Sequence, residues 1–277
     1  MCSMIDCNNA IIEPTSQQCV DLKPETIEKV CWKNLSSNPN AIPILEQNLD
    51  KVNWKELSLN PNAIHILEQN MHRVVWNKLS ENPNAIHILE KTLDMVNWNA
   101  LSQNKSPNAI PLLEKNLDKV NWAYLSTNPN AIPILEKNLD KVSWLMLSSN
   151  PNAIPILEKN LDKVDWSILS YNSNEMIPIL EKNLDKVDWI NLSYNPNAIH
   201  ILERRLNKVY WGGLSSNLNA IPILEQNLDK VVWSVLSSNP NAIPILEKNL
   251  DKVDWSALSS NLNAIPILEQ SLLTKVC

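Results

Sequence analysis

His65, Glu68 and His72 fall at i, i+3 and i+7, and His87 takes the place of His65 one segment further on. Imidazole and carboxylate ligands are what a zinc site is built from, so a metal centre is the first chemistry to weigh. Equivalent places in adjacent segments lie about one helix spacing, ~8–10 Å, apart, too far to share one ion unless the side chains converge. These residues therefore read as polar substitutions at surface positions. Cys2 and Cys7 lack a second pair at zinc-finger spacing. Gly212 and Gly213 are the only glycines, so no glycine-rich phosphate loop can form. Arg204, Arg205 and Lys208 make the one dense basic group, diluted by Glu203, in a chain of net charge −6. That balance argues against a surface built to hold phosphates, because nucleic-acid affinity comes from clustered Lys and Arg. No catalytic constellation, metal site or cofactor site emerges, and nucleic acid is not the expected partner.

The residues that recur define what must be positioned. Trp32, Trp54, Trp76, Trp98, Trp122, Trp144, Trp166, Trp189, Trp211, Trp233 and Trp255 stand mostly 22 residues apart. A short fixed period means a stack of units that grows along one axis. Within the unit 38–59, Ala41, Ile42, Ile44, Leu45 and Leu49 form an apolar face at helical spacing, with Asn40 expected as N-cap. Pro43 then falls in the first turn, where amide donors are unpaired anyway. His65, His87 and His200 stand at the equivalent place in three units.

A second, shorter helix begins at each tryptophan. Asn53, Asn97, Asn121, Ser143, Asp165, Asp188 and Asp254 immediately precede it, and these are the types that cap free amides. Trp54, Leu57 and Ser58 share its expected inward face, while Lys55, Glu56 and Leu59 look outward. Asn60 and Pro61 end it, the asparagine being expected in the left-handed conformation. Helices this short need neighbours on both sides. The fold expected is all-α, a right-handed α-solenoid of about eleven 22-residue two-helix repeats. A leucine-rich-repeat-like solenoid is the alternative, since the period fits, but Lys55 and Asn62 would occupy positions where its strand needs aliphatics.

Residues 1–31 form a divergent N-terminal segment and cap, 32–260 the tandem repeats, and 261–277 a closing half-repeat. Insertions at Lys105-Ser106 and around Ser173-Asn174-Glu175 fall in connections, where extra residues cost little; bending of the stack or a docking loop is the functional alternative. The five cysteines, Cys2, Cys7, Cys19, Cys31 and Cys277, suit reduced thiols. No leader pattern or long apolar run is present, so an intracellular protein without a membrane partner is expected.

The Leu and Ser three and four residues after each Trp, the Asn six after it and the Glu equivalent to Glu46 recur in all eleven units, as framework would. The Glu column beside Lys51, Lys119, Lys141, Lys163, Lys186, Lys230 and Lys252 suggests exposed inter-repeat ion pairs, worth only ~0–1 kcal/mol each. Variation concentrates one, two and five residues after each Trp. It runs polar (Lys33, Lys55, Glu56, Lys78), then apolar and aromatic (Tyr124, Leu145, Met146, Ile168, Tyr171, Ile190, Tyr194), then small (Gly212, Gly213, Ser234, Ala257). The middle group is the candidate partner-binding stripe, since contiguous exposed apolar surface marks interfaces.

The unit NPNAIPILEKNLDKVDW, followed by S-x-LSSN, is nearly intact at 239–261. It resembles tandem repeats in proteins of giant nucleocytoplasmic large DNA viruses of protists, over about residues 22–277. The resemblance implies a non-enzymatic repeat scaffold, a viral or host protein partner, and a place in the host cytoplasm, virus factory or virion. Self-association as a structural component of a virion or factory is the alternative. A nucleic-acid-binding helical repeat is a third class, which would need a continuous basic or stacking stripe.

Overall fold

A computed structural model describes residues 29–171 and 174–273. Among these every regular element is helical, which removes the leucine-rich-repeat alternative. The chain divides into two compact units, Met1–Val142 and Ser143–Cys277. Each is a helical repeat stack in which a short helix beginning at tryptophan, the Trp helix, alternates with one carrying the IPILE motif or its IHILE variant, the Pro helix. Trp32–Ser37 and Ile42–Glu46 are one such succession in the first unit, Trp211–Ser216 and Ile221–Glu225 one in the second. In each unit a Trp helix packs on the Trp helix of the next repeat.

The sequence explains both helix starts. Asn53, Asn97, Asn121, Ser143, Asp165, Asp188 and Asp254 each accept the amide of the residue three further on, as capping requires. The Pro helix starts differently from the expectation. Ile42–Glu46 has Ala41 at its N-cap with no side-chain cap bond, and Pro43 sits in the first turn. Asn40 is not the cap. It lies in an Asx turn, its amide donating to Asn38 Oδ1 at 2.9 Å. Nor is Asn60 left-handed: at φ −69°, ψ 116° it is extended. The following Pro61 clashes with an α-region residue before it and forces that geometry.

The core repeats with the period. Leu57, Leu79, Leu101 and Leu125 of the first unit, and Leu147, Leu169, Leu192 and Leu214 of the second, are fully buried, as are Leu45, Leu67 and Leu89 of the Pro helices. Each such side chain contributes roughly 1.5–3 kcal/mol on leaving water. Asn48 closes the exit of its Pro helix, donating from Nδ2 to the Ile44 carbonyl at 2.9 Å, and Asn70, Asn116, Asn160 and Asn227 do the same. These carbonyls would otherwise be orphans of the helix end.

The expected N-terminal segment lies, apart from 29–31, outside the described residues, as do Cys2, Cys7, Cys19 and Cys277. Cys31 is a free, exposed thiol. The Lys105-Ser106 insertion joins Trp98–Gln103 to Ala109–Glu114 as a connection. Of the second insertion, Asn174–Met176 is a 3-10 turn and Ser173 lies outside the described residues. Within the expected closing half-repeat, 261–277, Ile265–Leu273 is a helix and 274–277 lie outside the described residues. No helix among the described residues is long and apolar enough to cross a membrane.

Candidate functional site: an apolar stripe on a hydrogen-bonded frame

Three side-chain columns form the frame, and two of them do more than their local chemistry predicts. The serine four after each Trp is fully buried from Ser36 to Ser237. Ser58 Oγ donates to Trp54 O at 2.7 Å and accepts the amide of Val75, in the next repeat, at 3.0 Å. The asparagine six after the Trp bridges backward. Asn82 Nδ2 donates to Ser58 O and Asn60 O, both at 3.0 Å, while its Oδ1 holds the Asn84 amide. Asn217, Asn239 and Asn261 repeat the double donation in the second unit. The second asparagine of several turns adds an outer rung, as in Asn84 Nδ2 to Pro61 O at 2.9 Å. A buried carbonyl without a partner costs about 1–3 kcal/mol, so these rungs join repeats by satisfying backbone groups of both.

The tryptophans are not fully inward. Ten are half-buried and Trp255 is exposed. The lysines expected to pair with glutamates lie instead over the indole of the preceding repeat: Lys51 over Trp32, Lys119 over Trp98, Lys141 over Trp122, Lys163 over Trp144, Lys186 over Trp166, Lys230 over Trp211 and Lys252 over Trp233, at 5.1 to 5.8 Å from the ring centroid. Arg73 covers Trp54 at 4.6 Å. A cation over a ring gains ~0.5–1 kcal/mol at an exposed site. The glutamates find other partners. Glu46, Glu68 and Glu181 bond His65, His87 and His200 at the proline position of the next repeat, which gives those histidines a structural role. Glu114 and Glu158 pair with Lys137 and Lys182 at 2.9 Å.

On this frame the second unit exposes Leu145 and Met146 on Trp144–Leu147, Tyr171 on Trp166–Tyr171, and Ile190 and Tyr194 on Trp189–Tyr194, with Tyr171 the most open at 64 %. Ile168, expected among the exposed residues, is half-buried. It forms with Ser149, Ser167, Tyr171 and Asn191 the wall of an open groove of about 350 Å³. Tyr124 is exposed on Trp122–Thr127 of the first unit. Gly212 and Gly213 were expected to make a small outward face, but both are buried. The ring of Tyr210 lies where a Cβ on Gly212 would stand, and Tyr194 and Ser193 pack against Gly213. The two tyrosine rings meet at 6.1 Å, tilted by 52°. Tyr210 thus extends the stripe by one repeat. Sequence reading missed it because it occupies the capping column; the tyrosine among Asn, Asp and Ser, followed by two glycines, was the available signal.

Fold and stripe define a helical repeat protein. No protein-family model matches the chain, and searches among curated proteins and solved structures give no match.

Proposed function

We propose that the chain is a non-catalytic repeat scaffold that binds another protein through the stripe from Leu145 to Tyr210. One observation carries this reading: exposed large apolar side chains stand on three successive Trp helices of the second unit, with Tyr171 and Tyr194 at the same place on two of them. Such residues scattered singly are ordinary, as Leu93, Leu218 and Leu262 are here; alignment along successive elements is not. The occupant is an apolar segment of a different protein. The resemblance of the repeat unit to giant-virus tandem repeats makes that partner viral or host, met in the host cytoplasm or virus factory.

The test compares proteins retained from infected-cell extract by the natural chain and by the Leu145→Glu/Tyr171→Glu/Ile190→Glu variant, three exposed positions. Circular dichroism should stay unchanged and at least one retained protein should be lost. Identical retention would overturn the reading. So would a concentration-dependent dimer of the natural chain that the variant abolishes, since the occupant would then be a second copy, as in a self-associating virion component.

A further inference from the structure

Two repeats depart from the frame, each on one side. In the repeat headed by Trp255 it is the side that a following repeat covers elsewhere. Trp255 is exposed while the other tryptophans are half-buried, and Ser259 is exposed while its equivalents from Ser36 to Ser237 are fully buried. The Ser259 hydroxyl receives no amide among the described residues, and it donates to Ser256 O at 2.6 Å instead of to the tryptophan carbonyl. Leu262 is 89 % exposed, against 47 % for Leu218 at the same place in an internal repeat. Ile265 is exposed, and its equivalents are all half-buried or buried.

In the repeat headed by Trp32 it is the opposite side, the one that a preceding repeat covers elsewhere. Leu35 is half-buried and Asn38 exposed, whereas their described equivalents, from Leu57 to Leu258 and from Asn60 to Asn261, are buried. Asn38 Oδ1 holds the Asn40 amide as the frame requires, but neither Asn38 Nδ2 nor Asn40 Nδ2 finds an acceptor among the described residues. Lys29 precedes Trp32 by three residues, as Lys51 precedes Trp54, yet it is exposed and covers no ring among the described residues.

The two open sides match group for group. At the internal junction between the repeats of Trp233 and Trp255, Asn261 Nδ2 donates to Ser237 O and Asn239 O at 3.0 and 2.9 Å, and Asn263 Nδ2 to Pro240 O at 3.0 Å. The Asp254 amide meets Ser237 Oγ at 3.0 Å, and Lys252 lies over Trp233 at 5.2 Å. One repeat further on, the corresponding acceptors are the carbonyls of Ser259, Asn261 and Leu262 and the Ser259 hydroxyl, and the ring is that of Trp255. The unused donors at Trp32 are Asn38 Nδ2, Asn40 Nδ2 and the Cys31 amide, with Lys29 as the cation. Buried polar groups need partners at fixed places, and a second copy already carries this set in the spacing that every internal junction uses.

We propose that the open side at Trp255 seats the Trp32 repeat of a second copy, which continues the frame across the contact and lays Lys29 over Trp255. The contact is heterologous, a different patch from each partner, so further copies can add in the same way. It uses none of the stripe residues and stands independently of the reading above. The test is sedimentation velocity on the full chain, whose half-association should fall within about 1–100 µM, as for small contacts.

Lys29→Glu/Asn38→Asp turns carboxylates toward the Trp255 ring and the carbonyls of Ser259 and Asn261, and should weaken association at least about tenfold. Leu262→Glu/Ile265→Glu should do the same from the other side. All four positions are exposed, so circular dichroism should match that of the natural chain. Each variant keeps one good side, so an equal mixture of the two should pair with the natural affinity and stop at one copy of each. A natural chain that stays monomeric up to about 100 µM overturns the proposal. So does a mixture that fails to pair, or either variant associating alone as the natural chain does. Leu145→Glu/Tyr171→Glu/Ile190→Glu should associate normally; if it does not, the contact belongs to the stripe and the end-to-end frame is overturned.

Discussion

At the scale of single residues, the asparagine six places after a tryptophan, as at Asn60, Asn82 and Asn217, joins backbone groups of two repeats. Its role depends on the amide nitrogen. Asn82→Asp keeps the size and the acceptor but sets a carboxylate oxygen against the carbonyls of Ser58 and Asn60 in a buried place. The expected loss is about 3 kcal/mol or more, from two lost donations and an unpaired buried charge. Asn84→Asp removes one exposed rung to Pro61 and should cost only about 0.5–1 kcal/mol. Paired urea titrations would check the ordering, and equal losses would mean that the inner rung is no stronger than the outer.

At the scale of elements, the junction between repeats can be strengthened or overfilled. Met95 stands where most repeats place the lysine that covers the preceding indole, here Trp76. Met95→Lys should raise stability by about 0.5–1 kcal/mol, read as a higher thermal midpoint. The two glycines predict opposite signs. A methyl on Gly212 meets only the far end of the Tyr210 ring, at 2.7 Å, which can swing aside. Gly212→Ala should therefore gain up to about 1 kcal/mol of helix propensity and increase Tyr210 exposure. A methyl on Gly213 comes within 3.1 Å of the Ser193 Cβ. Ser193 is pinned by bonds to Trp189 O and Tyr210 N and cannot yield, so Gly213→Ala should lose about 1 kcal/mol net. A common sign for both would contradict the packing described.

At the scale of the molecule, the period was legible because tryptophan, leucine and serine hold fixed distances. Pro43 placed one helix start and Asn53 with its equivalents the other, since both act within one turn. What escaped depends on the neighbouring repeat. The hydroxyl of Ser58 and the amide of Asn82 look purely local until the adjoining backbone is in place. Lys51 could choose a carboxylate or an indole, and spacing alone does not decide. Likewise Tyr210 joins the stripe because glycine at 212 leaves room for its ring, while Ile168 is half-buried in the groove wall. Since the frame bonds join nearest neighbours, removal of the 22 residues 233–254 should leave a folded chain with unchanged ellipticity per residue. Removal of 233–243 alone should break that junction, seen as lost ellipticity and exposed apolar surface.

The lysine-covered tryptophans have a further consequence. Eight of the half-buried indoles lie beneath a cation supplied by the following repeat, so parting of two such repeats uncovers one ring and hydrates it. The chain thereby carries its own optical gauge of integrity, with a colour shift confined to the junction that opens. A set of variants retaining one tryptophan each would show where along the stack the first gap appears.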